Sequence, residues 1–126
     1  PIIADTDLSV AKLYNMLPRK QAPAMLAFGV ENQAVRSIFI VGTDKRIKLS
    51  LTYPMATGRN FAELIRAIDS LQLTATHKVA TPANWQHGDD VIIVPSVSDD
   101  EARKLFPDGW QTIKPYLRKV ADPSKS

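Results

Sequence analysis

The apolar positions between residues 36 and 53 change their period halfway along. Ile38, Phe39, Ile40 and Val41 are continuous. The polar stretch Gly42-Thr43-Asp44-Lys45 follows, after which Ile47, Leu49, Leu51 and Tyr53 alternate with Lys48, Ser50 and Thr52. A continuous run suits a strand covered on both faces, and alternation suits one that shows a face to water. The stretch therefore predicts a hairpin with an inner strand and an outer strand at the sheet edge. A helix comes next. Asn60 is a good N-cap, with Glu63 at the capping-box position. Phe61, Leu64, Ile65, Ile68 and Leu71 recur at helical spacing, opposite Glu63, Arg66, Asp69 and Gln72. Burying all five apolar side chains would contribute about 8–15 kcal/mol as an upper estimate.

On either side of this unit the pattern is weaker. Residues 1–5 (PIIAD) read as a short strand leading into a helix capped by Thr6 or Asp7. That helix carries an apolar stripe of Val10, Leu13, Tyr14 and Leu17 and is stopped by Pro18. Arg19 to Asn32 has no clear period, yet its Ala24-Met25-Leu26-Ala27-Phe28 is too apolar for a solvated loop and predicts packing, on a partner chain for example. Thr74 to Gly88 reads as a connector. Val91 to Val94 is a short buried strand ended by Pro95, and Ser98 to Glu101 is a capping box opening a helix with Ala102, Leu105 and Phe106 inward. Pro107-Asp108-Gly109 ends that helix, Pro115 to Val120 adds a strand, and Ala121 to Ser126 reads as a frayed polar tail.

Composition changes this picture little, with one exception. The chain has 126 residues, 44% hydrophobic and 23% charged, which is ordinary for a globular protein. Its net charge of +3, from 16 basic and 13 acidic residues, is scattered. The light clusters at Lys45-Arg46-Lys48 and Arg118-Lys119 lack the density and aromatic interleaving of a nucleic-acid surface. No apolar stretch approaches the ~18 residues of a spanning helix. The exception is cysteine: there is none, so disulfides, thiolate metal sites and thiol catalysis by this polypeptide are excluded.

Strand, tight turn, edge strand and helix make the back half of a thioredoxin-like domain. The blocks VRSIFIVGTDKRIKLSLTYPMATGRNFAELIRAIDSLQLT, HKVATPANWQHGDDVIIVP and DDEARKLFPDGW, in that order, closely resemble the one-cysteine peroxiredoxins. The resemblance covers essentially the whole chain and is loosest at Arg19 to Asn32. It implies an α/β fold, the C-terminal half of a thioredoxin-like domain (β-α-β-β-α) over residues 1–75, with a small α+β extension over 76–126. In that family a Pro-x-x-x-Thr-x-x-Cys loop in the N-terminal half carries the attacking cysteine. The present sequence thus reads as a C-terminal part lacking its nucleophile.

Arg36 and Arg59 are the candidate site residues. On pattern alone, Arg36 at the end of an apolar strand reads as a guanidinium reaching solvent, and Arg59 as a surface cation disfavoured beside a helix N-terminus. The resemblance implies more for both. Its first arginine sits beside the attacking sulfur, lowering the thiol pKa and donating to the peroxide oxygens, and its second completes that network. Asp44 is expected in a turn for conformational reasons; it also matches an aspartate proposed for a phospholipase triad in animal members, and the turn role is preferred. His77 and His87 read as surface histidines, and Trp85 and Trp110 as packing anchors.

Three functional readings follow. The chain is part of a thiol peroxidase for hydrogen peroxide and organic hydroperoxides, inactive alone. Or it is a non-catalytic assembly module pairing through the Ile47 to Tyr53 edge, which the resemblance makes a dimer surface. Or it is a shortened product without a function of its own. No cofactor, metal or nucleic acid is expected, and the cytoplasm is the expected compartment. A swapped or intertwined dimer is the expected cover for the apolar faces of an incomplete sheet.

Overall fold

A computed structural model describes residues 2–17 and 35–125. The loop expected at Arg19 to Asn32, with its apolar 24–28 segment, and Pro18 lie outside the described residues. The chain divides into two units, one ending at Arg59 and the other beginning at Asn60.

In the first unit the hairpin forms at the expected residues. Strand β1 (Arg36–Val41) pairs antiparallel with β2 (Ile47–Tyr53), from Arg36 opposite Tyr53 to Ile40 opposite Leu49. However, β1 is half-buried along most of its length instead of an inner strand covered on both faces, and β2 is its one partner strand among the described residues. The register then slips to Val41 opposite Ile47, leaving Lys48 as the extra residue of a bulge. Leu49, Leu51 and Tyr53 are half-buried and the intervening Ser50 and Thr52 exposed. Ile47, beyond the bulge, stays exposed. The turn closes through Gly42 N–H to the Arg46 carbonyl and Lys45 N–H to the Gly42 carbonyl, both 2.9 Å, with Lys45 left-handed at φ 59°.

Residues 2–5 are not a strand: no partner strand reaches them among the described residues, and Ile2 and Ile3 lie open to water. The following helix α1 (Ser9–Leu13) is shorter than its stripe suggested. It ends in a turn with Asn15 left-handed at φ 53°, well before Pro18. Its capping is also different. The Asp5 carboxylate, further back than Thr6 or Asp7, accepts from Val10 N–H (3.0 Å) and Ala11 N–H (2.7 Å), whereas the Asp7 carboxylate accepts from Ser9 N–H (3.2 Å). Leu13 is exposed, and Tyr14 packs its ring on Phe39 at 5.0 Å between centroids. Ala11 is the buried apolar residue of this unit among those described.

The second unit holds the core. Helix α2 (Phe61–Thr76) is capped by Asn60, whose side-chain oxygen accepts from Glu63 N–H at 3.2 Å. The capping box is only half made, because the Glu63 carboxylate turns forward to Arg66 (2.6 and 2.8 Å). The face that α2 buries also differs from the expected one. Ala67 and Leu73 are buried, while Phe61, Ile65 and Ile68 are 68%, 62% and 39% exposed, so most of the expected stabilisation from that stripe is not realised. The helix turns its other side to the connector, where the Ser70 and Thr81 hydroxyls meet at 2.7 Å.

That connector contains a strand. β3 (Val79–Ala80), β4 (Val91–Ile93), β5 (Gln111–Lys114) and β6 (Leu117–Val120) form an antiparallel sheet in the order β3-β4-β6-β5. The periodicity missed β3 and β5, the first because it has two residues and the second because all four of its residues are exposed. Helix α3 (Asp99–Leu105) starts at Ser98, whose hydroxyl accepts from Glu101 N–H at 3.2 Å. The Glu101 carboxylate goes to Lys78 instead of completing the box. Ala102 and Phe106 point inward as expected, whereas Leu105 is 44% exposed. Gly109, at φ 85°, closes the helix end by donating to the Phe106 carbonyl.

Trp85, Val91, Ile93, Val97, Ala102, Phe106, Leu73, Val79 and Val120 make one cluster, with Val94 and Trp110 packed on it. A cation stands in the same interior. Arg118, on the buried side of β6, is 5% exposed and donates to Asp99 (2.7 Å) and to the carbonyls of Val97 and Val94. Nor is the tail frayed over its described residues, 121–125. Asp122 is 4% exposed, and a 3-10 turn (Pro123–Lys125) follows it. Burial pushes the Asp122 pKa up, but hydrogen bonds from the Ser124 hydroxyl and N–H and from Gly88 N–H, with the charge of His87, together bring it below the ordinary value.

Two outcomes are expected. Arg118→Met leaves the Val97 carbonyl without its donor, strips the second donor from the Val94 carbonyl, which keeps Val97 N–H, and leaves Asp99 without its cation. It should lower unfolding free energy by about 2–4 kcal/mol in urea melts, and a loss under about 1 kcal/mol would mean the guanidinium is not holding the 94–97 segment. Because the folded pKa of Asp122 is depressed, its stabilisation is complete above the unfolded value of about 3.9 and fades as pH falls through the lower folded value. The Tm gap between the chain and its Asp122→Asn variant should therefore be flat above about pH 5 and close below about pH 4. A gap that widens on acidification contradicts this.

Candidate functional site

β1 begins with Arg36, and β2 delivers the chain back to the same end of the hairpin at Tyr53, its partner in register. There Pro54 to Thr57 forms a turn closed by Thr57 N–H to the Pro54 carbonyl at 2.9 Å. Arg36 is half-buried, and its Nη1 donates to the Thr57 carbonyl at 3.2 Å. The guanidinium is thereby tied to the loop that carries Arg59 two residues later. Arg59 itself is exposed and has no hydrogen-bond or ion-pair partner among the described residues.

How many donors are engaged decides what these groups are able to do. A guanidinium has five N–H donors in a fixed fork. Arg118 spends its fork on a carboxylate and two carbonyls and is structural. Arg36 engages one acceptor among the described residues and keeps the rest of its fork available, and Arg59 keeps all of its own. Ser37 and Thr52, next to Arg36 and Tyr53 in the ladder, bond to each other through their hydroxyls at 3.2 Å and brace that end of the hairpin. Thr57 was not among the residues singled out by sequence; it acts through its carbonyl, which every residue type possesses.

The other candidates sit elsewhere. Asp44 lies in the hairpin turn, where its carboxylate accepts from Arg46 N–H (3.2 Å) and from Lys48 (2.7 Å). The Lys48 hydrogen bond, with that of the Arg46 amide, holds its pKa below the ordinary value. It is a turn residue with a cation on it. His77 accepts or donates at Nδ1 to the Thr76 hydroxyl (2.8 Å), and exposed His87 stands edge-on to Trp85 with centroids 6.3 Å apart. Among the described residues no group of three His, Asp or Glu is arranged to hold a metal. Two open clefts flank the Lys119–Asp90 ion pair (3.0 Å), and neither joins a nucleophile to a base. Trp85 is 1% exposed, its Nε1 donating to the Asp89 carbonyl at 3.0 Å, and it anchors the core as its setting predicted.

Residues 70–109 match the family profile described as the C-terminal domain of 1-Cys peroxiredoxin. A 1-Cys peroxiredoxin of Dictyostelium discoideum is 50% identical over 125 residues, covering 99% of this chain and 48% of the relative. Among solved structures, the yeast mitochondrial 1-Cys peroxiredoxin studied for its thiol resolving mechanism superposes with TM-score 0.81 at 46% identity, covering 96% of this chain and 55% of that one. A cysteine-to-serine mutant of the Peroxiredoxin 6 of Arenicola marina gives TM-score 0.78 at 44% identity, covering 97% and 56%.

The chain belongs to the 1-Cys peroxiredoxin family.

It spans about half the length of the curated relatives it matches. Its fold is accordingly that of the C-terminal portion of a thioredoxin-like peroxiredoxin. No helix among the described residues is long and apolar enough to cross a membrane.

The turn role of Asp44 makes its own prediction. Asp44→Asn keeps an acceptor for Arg46 N–H and loses the Lys48 pair, whereas Asp44→Ala loses both. Thermal midpoints should fall in the order native, Asn, Ala at neutral pH. The native advantage over Asn should begin to shrink below about pH 4 and vanish only as pH falls through the lowered folded pKa of the carboxylate. Equal midpoints for all three would remove Asp44 from the turn's energetics.

Proposed function

We propose that this chain is the arginine-bearing C-terminal portion of a thiol peroxidase. In the complete enzyme a cysteine thiolate attacks a hydroperoxide. The sulfur–oxygen bond forms as the O–O bond breaks, water or an alcohol leaves after taking up a proton, and the cysteine becomes a sulfenic acid that an external thiol reduces. Arg36 and Arg59 are the residues of this chain that serve the step. A guanidinium beside the sulfur favours the thiolate, and its free N–H groups donate to the oxygens on which negative charge develops. The observation that supports this reading is the state of Arg36: half-buried, aimed by one bond to the Thr57 carbonyl, and otherwise uncommitted among the described residues.

The hydroperoxide and the reductant belong to the complete enzyme. The partner proposed is a second copy joined along β2. Among the described residues that strand is paired on β1 alone, and the bulge leaves Ile47 53% exposed and Val41 51% exposed beside the open edge. Unpaired N–H and C=O groups on such an edge are a template for strand addition. The cytoplasm is the proposed compartment. A purely non-catalytic assembly role is not favoured, since it leaves the available donors of Arg36 without a purpose.

The test has two arms. The 126-residue chain alone, having no cysteine, should reduce no peroxide above the blank with dithiothreitol as reductant. A chimera joining the cysteine-bearing N-terminal half of the Dictyostelium relative to this chain should be active, and Arg36→Met in it should lower kcat/KM by about 10²–10³-fold, with Arg36→Lys recovering only part. Turnover by the chain alone, or an unchanged kcat/KM in Arg36→Met, would sink the proposal.

A further inference from the structure

We propose that residues Ala121–Lys125 form a clasp on the Gly88 turn, and that a negative charge at Ser124 opens it. The clasp grips Gly88 by both of its peptide groups. Gly88 N–H donates to Asp122 Oδ2 at 3.1 Å, and Lys125 Nζ donates to the Gly88 carbonyl at 2.6 Å. The other carboxylate oxygen of Asp122, Oδ1, is held by the Ser124 N–H at 2.9 Å and the Ser124 hydroxyl at 2.7 Å. Gly88 adopts φ 94°, and a Cβ there would lie 2.5 Å from Lys125 Cε and 2.6 Å from Nζ. The grip therefore favours a glycine in the turn: the left-handed backbone strains any other residue, and a Cβ would push the end of the Lys125 side chain off the Gly88 carbonyl.

Opening is local because the turn keeps its own bonds. Asp89 N–H donates to the Gln86 carbonyl at 2.9 Å, Gln86 N–H to the Asp89 carboxylate at 3.0 Å, and Trp85 Nε1 to the Asp89 carbonyl. None of these passes through the clasp. β6, which leads into it, is held independently between β4 and β5.

Position 124 is the control point. Ser124 is exposed, so its side chain is open to substitution or modification, yet its hydroxyl donates into the carboxylate of a residue that is 4% exposed. A neutral donor closes the clasp. An anion in the same place faces Asp122 at hydrogen-bond distance, with Lys125 and His87 as the neighbouring charges that offset only part of the repulsion.

Hydrogen exchange on the 126-residue chain tests this, read at the Gly88 amide, whose sequence neighbours are unchanged in the Ser124 variants. In the native chain that amide should be protected. Ser124→Glu should speed its exchange roughly tenfold or more, Ser124→Ala less than about threefold, and the amides of β4 and β6 should not change in either. Gly88→Ala, which strains the left-handed backbone at φ 94° and displaces the Lys125 ammonium from the Gly88 carbonyl, should speed exchange at the Ser124 and Lys125 amides without any added charge. An unprotected Gly88 amide in the native chain, equal effects of Glu and Ala at 124, or matching acceleration in β4 and β6 would each overturn the clasp.

Discussion

A guanidinium withdrawn from water needs acceptors, and where it finds them decides whether it is structure or function. Arg118 is nearly fully enclosed and meets one carboxylate and two carbonyls. Desolvating the charge is costly, and the bonds that offset the cost leave it little freedom. Arg36 is withdrawn only halfway and meets a single carbonyl among the described residues. That one bond fixes the direction of the fork without consuming it. The two arginines have the same chemistry and opposite consequences, and the functional reading of the chain depends on the difference.

The two units differ in how they are stabilised. The C-terminal unit has a cluster of nine buried residues around Trp85, enough for the four-stranded sheet and α3 to hold each other. Around the hairpin, Ala11 is the buried apolar side chain among the described residues, and β1 is half-buried along most of its length. α2 belongs by its contacts to the C-terminal unit, yet Phe61, Ile65 and Ile68 project from it into solvent in a row at i, i+4 and i+7. A row of that kind on a helix is the mark of a face built to be covered. The same sequence stripe that predicted an inward face therefore has a real physical basis, although the described residues do not satisfy it.

Legibility did not follow that division. The hairpin, α2 and α3 announced themselves because period and turn chemistry agreed: alternation after a polar turn, Asn60 and Ser98 as caps, Gly109 as a stop. Residues 2–5 misled because a run of β-branched residues looks like a strand whether or not a partner exists to pair with it. β5 was invisible because an exposed strand carries no apolar period, and β3 because two residues carry no period at all. Arg118 and Asp122 were passed over because charged residues near a chain end read as solvated surface. Only the partners far along the chain, Val94, Val97 and Asp99 for one and Gly88 for the other, make them interior.

The arginine pair shows the limit from the other side. Pattern alone treats Arg36 as a strand-end cation and Arg59 as a cation on the wrong side of a helix N-terminus. What sequence cannot supply is the link between them, a main-chain carbonyl at Thr57 two residues before Arg59. That link puts one charge at the start of β1 and the other on the loop leaving β2, which the antiparallel register brings to a common end. Like charges that share one end of a hairpin are favoured by a neighbouring anion. No carboxylate answers Arg36 or Arg59 among the described residues. On the proposed reading, the counter-charge is an anion that forms only when it is needed, a thiolate and then the oxygen leaving a peroxide.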